Sequence, residues 1–127
     1  MALILVVEDD DPVRELFARV LTRAGFEVDV ASDGHEAVKA FETGCYPVMV
    51  TDLVMPRKEG LETIMEIKQR WPECKIIAVS GGGRLVNSDV LELALHIGAD
   101  AVLRKPVSAA QLLAAVRRAI GLENAAA

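Results

Sequence analysis

Aromatic residues are scarce in this chain of 127 residues: three Phe, one Tyr and one Trp amount to 4%. A core must therefore be filled by Val, Ile, Leu and Ala. Cysteine is scarcer still. Cys45 and Cys74 are too few for a disulfide scaffold and lack CxxC spacing, which suits a reducing, cytoplasmic setting. Positive charge is in deficit, with 14 Lys and Arg against 19 Asp and Glu and a net charge of −5. A nucleic-acid partner would need a basic stripe to displace counterions, so that class is disfavoured. Long apolar runs are missing too. The opening MALILVVEDDD has no basic leader and reaches acids after its first apolar stretch, so it is neither a signal peptide nor a membrane span. What is present, 52% apolar and 26% charged residues, is the balance of a folded globular domain. The length fits one domain that hides roughly two-thirds of its surface.

The run Leu3-Ile4-Leu5-Val6-Val7 is apolar at every position, the signature of a strand buried on both faces. Asp11 is expected to cap the helix that follows, with Pro12 in its first turn and Val13, Leu16, Phe17, Val20 and Leu21 on one face. The alternation then repeats. Strands are expected over 26–31, 47–51, 75–79 and 101–103. Helices are expected after Asp33, over 61–70, over 88–96 and after Ser108. Five such βα units imply an α/β fold with a parallel sheet covered by helices on both faces.

In sheets of this kind ligands gather beyond the carboxyl ends of the strands. Glu8, Asp9, Asp10 and Asp11 follow the first strand, Asp52 the third, Ser80-Gly81-Gly82-Gly83 the fourth, and Arg104-Lys105-Pro106 the fifth. Crowded carboxylates need a compensating cation. Oxygen donors with neither Cys nor His among them favour Mg²⁺ over Zn²⁺. Glu8, Asp9 and Asp52 against Mg²⁺ and Lys105 bring such a site near neutrality. A carboxylate there can attack phosphorus, with Lys105 and Ser80 contacting phosphoryl oxygens.

The segments VVED and TDLVMPRKEG, Ser80 and Lys105-Pro106, in that order and at those separations, resemble the receiver domain of two-component response regulators, the CheY-like superfamily. The resemblance covers residues 3 to about 120. It implies a doubly wound, flavodoxin-like (βα)5 fold with five parallel strands in the order 2-1-3-4-5. Asp52 is then the phosphoacceptor, Asp9 a direct Mg²⁺ ligand, Glu8 a ligand acting through water, and the backbone carbonyl of Val54 the last protein donor. Ser80 stands at the switch hydroxyl, Lys105 at the family lysine, and Pro106 follows in what is usually a cis peptide. Gly60 permits the turn into the third helix, and Met55-Pro56 shape the loop past Asp52. The implied partners are a histidine kinase or histidine phosphotransfer protein and a downstream protein of unknown identity, bound by the face of the fourth helix, fifth strand and fifth helix; the acidic charge and the lack of a long apolar run argue against nucleic acid and membrane as partners.

The sequence departs from that pattern in two places. Val102 stands where the family often has an aromatic ring that couples to the switch hydroxyl. The stretch 81–87 is longer than the usual loop, and its glycines predict mobility without phosphate. Residues 1–122 are expected to form a stand-alone receiver, followed by a disordered tail over 123–127. Two other classes compete. A dehalogenase-like phosphatase would carry a second Asp where Val54 stands; a pseudo-receiver would bind a protein without phosphorylation. His35 and His96 are expected on helices away from the strand ends, and both cysteines as plain thiols.

Overall fold

The computed structural model describes residues 2–53, 60–80 and 88–121, with the backbone alone given for 88–91. Five strands alternate with five helices: β1 (Leu3–Val7), α1 (Asp11–Arg23), β2 (Glu27–Ala31), α2 (Gly34–Thr43), β3 (Val48–Asp52), α3 (Gly60–Arg70), β4 (Lys75–Ser80), α4 (Ser88–Ile97), β5 (Ala101–Arg104) and α5 (Ala109–Ala119). The strands form one parallel sheet in the order β2-β1-β3-β4-β5, the order the resemblance implied. Val54, Met55-Pro56, the 81–87 stretch and the 123–127 tail lie outside the described residues.

The side-chain alternation of the strands divides the core in two. Leu5 and Val7 of β1, Met49 of β3, and Ile76 and Ala78 of β4 pack with Ala37 and Phe41 of α2, Ile64 and Ile67 of α3 and Ala94 of α4. Ile4, Val6, Val48, Val50, Ile77 and Val79 point the other way, onto Phe17 and Leu21 of α1 and Leu112 and Val116 of α5. The three central strands are therefore covered on both faces, which is why they read as unbroken apolar runs. No helix among the described residues is long and apolar enough to cross a membrane.

The structure corrects the sequence reading in local detail. Asp10, not Asp11, caps α1: its backbone is extended and its Oδ1 accepts from the Val13 amide at 3.2 Å. Asp11 is already helical and pairs with Arg14 instead. Consecutive acids make the cap position ambiguous in sequence, because any of them could accept from the free amides of the first turn. Three strands also run one residue further than expected. Asp52 is paired with Val79, and Ser80 with Arg104, and the ladder continues through Leu53 N–H to Val79 O at 2.9 Å and Lys105 N–H to Ser80 O at 3.0 Å. The caps Asp33 and Ser108 are where the sequence placed them, the latter with Gln111 in a reciprocal capping box.

Candidate functional site

The carboxyl ends of β1, β3, β4 and β5 meet at one edge of the sheet. Glu8 follows β1 directly and its amide donates to Ala31 O at 3.0 Å, so the residue is fixed by the β1–β2 ladder. Its side chain turns inward and is 2% exposed. Asp52 closes β3 and is 6% exposed. Asp9 is exposed. A carboxylate oxygen from each of Glu8, Asp9 and Asp52 lies within 4.8 Å of the other two. Across the sheet, Lys105 leaves β5 and sends its Nζ to Glu8 Oε1 at 2.8 Å and Asp52 Oδ2 at 3.3 Å. Ser80, 1% exposed, ends β4 beside it and accepts the Lys105 amide at its carbonyl. The Lys105–Pro106 peptide is cis.

Gly60 makes this close approach possible. A Cβ there would sit 2.3 Å from the Asp52 carbonyl oxygen and 2.5 Å from Leu53 Cα, well inside van der Waals contact. Its amide donates to Leu53 O at 3.1 Å, so the start of α3 rests directly on the end of β3.

Electrostatically the cluster is short of positive charge. Burial pushes the Glu8 carboxyl up to about 7, and the charge on Asp52 adds to that; the hydrogen bonds from Lys105 and the Asp10 amide oppose it. Burial acts to lower the Lys105 ammonium, but its hydrogen bond to Glu8 and the charge on Asp52 outweigh that, and the net shift is upward. Lys105 is therefore a fixed cation facing more carboxylates than it can neutralise. Three carboxylates with no nitrogen or sulfur donor among them fit a hard divalent cation of the Mg²⁺ type.

The other singled-out residues lie elsewhere. Val102 pairs with Ala78 and packs against the core shared with α2, α3 and α4. His35 lies on α2 and His96 in the last turn of α4. Cys45 is exposed and Cys74 buried. Both line a cavity of about 630 Å³ with Phe41, Tyr46 and Trp71, at the amino ends of β3 and β4 and so at the edge opposite the acids. Sequence reasoning missed Arg14, whose Nη1 donates to the Glu8 carbonyl at 2.9 Å. The signal for it was a basic residue one turn into a helix entered through four acids.

Comparison with known proteins agrees with this fold. The model of the response regulator receiver domain family matches residues 4–117. Response regulator RR06 of Streptococcus pneumoniae is 35% identical over 117 residues, which is 92% of this chain and 52% of the relative. The chain thus spans about half the length of such curated relatives. A response regulator receiver domain protein from Clostridium thermocellum superposes with a TM-score of 0.88 at 33% identity, covering 100% of both chains. The response regulator protein TrrA of Thermotoga maritima, solved in complex with Mg(2+)-BeF, gives a TM-score of 0.81 at 34% identity over 94% of this chain and 99% of that one. An acid cluster and lysine at the carboxyl edge of a 2-1-3-4-5 sheet, together with these matches, place the chain in the response regulator receiver domain family of two-component signalling.

Proposed function

We propose that this receiver domain is a phosphorylation-dependent signalling switch with Asp52 as its phosphoacceptor. The observation that carries the reading is the meeting of Glu8, Asp9 and Asp52 oxygens with Lys105 Nζ at one sheet edge. A carboxylate oxygen of Asp52 attacks the phosphorus of a phosphohistidine on a histidine kinase or phosphotransfer protein. The new O–P bond forms as the P–N bond breaks, and the imidazole leaves with the electron pair and takes up a proton. Glu8, Asp9 and Asp52 would hold Mg²⁺, with the Val54 carbonyl, which lies outside the described residues, as a further donor. When bound, Mg²⁺ neutralises charge on the acids and on the incoming phosphoryl oxygens. Lys105, already within reach of Asp52, pairs with one phosphoryl oxygen, and the Ser80 hydroxyl donates to another. A phosphoryl group adds about −1.5 to −2 of charge to a site already rich in acid. The demand for new donors then alters the surface of α4, β5 and α5 for a downstream protein.

The domain accepts a group and releases it slowly to water; it is not an enzyme acting on a separate substrate. A net charge of −5 argues against direct contact with nucleic acid, and a cytoplasmic setting suits both the thiols and the donor. The test is intact mass after incubation with Mg²⁺ and acetyl phosphate. Wild type should gain one phosphoryl group and Asp52→Asn none. An equal adduct on the variant, or turnover of many phosphate esters, would remove the switch reading.

A further inference from the structure

The loop joining β1 to α1 carries Glu8, Asp9 and Asp10, and α1 opens with Asp11. Four neighbouring acids repel one another as they ionise, so a defined shape requires restraints. The ends are held: Glu8 N–H bonds Ala31 O, and the Arg14 amide bonds Asp10 O at 2.9 Å. Asp10 N–H donates to Glu8 Oε2 at 3.2 Å. Between these anchors lies the Glu8–Asp9 peptide, whose plane sets the direction of the Asp9 side chain. Its oxygen accepts from Arg14 Nη1 at 2.9 Å, while Arg14 Nη2 pairs with Asp11 Oδ1.

The guanidinium thus spans the loop like a strut. The Arg14 side chain is 18% exposed, whereas that of Asp11 is 73% exposed. An ion pair with so exposed a partner contributes little by itself, so the bond to the largely covered peptide oxygen is the one with structural effect. Arg14 does not take the Glu8 carboxylate, which is occupied by Lys105 and the Asp10 amide. It acts on the acids through the backbone. A planar fork with fixed donor directions is suited to bridging a carbonyl and a carboxylate in this way.

We propose that Arg14 is a positioning residue for the divalent cation, fixing the Glu8–Asp9 peptide plane and through it the Asp9 carboxylate. This rests on the reading of Glu8, Asp9 and Asp52 as the cation site. Charge alone predicts the opposite of positioning. Removing a nearby guanidinium makes the loop more negative and would tighten binding of any divalent cation. Loosening the Asp9 carboxylate weakens binding, and weakens Mg²⁺ more than Ca²⁺, because Mg²⁺ demands near-ideal octahedral geometry and Ca²⁺ accepts a flexible one.

Calorimetric titration of the unphosphorylated protein with MgCl₂ and with CaCl₂ separates these. For Arg14→Ala the Mg²⁺ dissociation constant should rise roughly tenfold, the scale seen when a group supporting a metal ligand is lost, and the Ca²⁺ constant should move less than about threefold on the same grounds of tolerance. Arg14→Gln, which keeps an amide donor without the charge, should recover part of the Mg²⁺ affinity. Unchanged or tighter Mg²⁺ binding in Arg14→Ala overturns the proposal. So does equal weakening toward both cations with no recovery in Arg14→Gln. A wild-type protein that binds neither cation removes the underlying site as well, a failure distinguishable from the other two.

Discussion

Glu8 is the residue on which the electrostatics turn. Its carboxyl is buried, pushed up to about 7 mainly by that burial, and faces Lys105 and Asp52. A folded-state value above the unfolded one means that the neutral form is favoured by folding. The associated stability is present below the ordinary Glu value and is lost as pH rises through about 7. In EDTA, urea denaturation should therefore show wild type losing stability between about pH 4.5 and 7, with the slope reduced in Glu8→Gln. A steeper slope in the variant would contradict this assignment. Asp9→Ala should raise stability without metal by relieving repulsion, and should abolish the stabilisation by Mg²⁺ that amounts to about 2.7 kcal/mol at a hundred times the dissociation constant. The thiols differ as sharply as the acids. Burial pushes Cys74 up to about 12 while Cys45 is exposed, so a thiol reagent at pH 8 should label Cys45 in the native protein and reach Cys74 only on unfolding. Rapid double labelling of the folded chain would contradict the buried position.

At the scale of elements, the alternation of strand and helix was legible in the apolar runs and their punctuation. Leu3 to Val7 announces a doubly covered strand, and Asp33 and Ser108 announce helix starts. Element ends were less legible. Asp52 and Ser80 belong to their strands because the neighbouring strand continues to pair with them, a long-range fact that no local pattern carries. The Asp10 cap was hidden for a local reason, because acids that could serve equally well flank it. Asp10→Ala should lower stability by about 1 kcal/mol, measured by thermal or urea unfolding, whereas Asp11→Ala should change it less, since Asp11 is exposed and its pair with Arg14 lies at the surface. Gly60 is the tighter constraint. A Cβ placed 2.3 Å from the Asp52 carbonyl must push β3 and α3 apart, so Gly60→Ala should destabilise by about 1–3 kcal/mol and weaken Mg²⁺ binding along with it. Unchanged stability and affinity would mean that the junction yields freely.

For the whole molecule, the sheet order turns sequence-distant residues into one site. Glu8 and Lys105 are joined by a 2.8 Å contact although they stand near opposite ends of the chain. The parallel order β2-β1-β3-β4-β5 brings the carboxyl ends of β1, β3, β4 and β5 to a common rim. Motif order suggested that rim, and the acids and Lys105 are found together there. Arg14 did not emerge from sequence, because its place one turn beyond the acids does not tell whether its guanidinium faces water or a carbonyl. The opposite rim, where the Phe41 ring meets those of Tyr46 and Trp71 in tilted contacts at 5.0 and 5.1 Å between centroids, gathers three of the five aromatic residues and none of the clustered acids. Chemistry and aromatic packing thus occupy opposite ends of the same strands.

The proposed switch requires a phosphoryl group on Asp52 that arrives only with a divalent cation present. Borohydride trapping followed by peptide mass mapping reads this at the residue, since an acyl phosphate is reduced to the alcohol while a free carboxylate is untouched. After treatment with acetyl phosphate, Asp52 should be converted to homoserine in Mg²⁺ and left unconverted in EDTA. Reduction at another acid, or equal conversion of Asp52 with and without the cation, would contradict it.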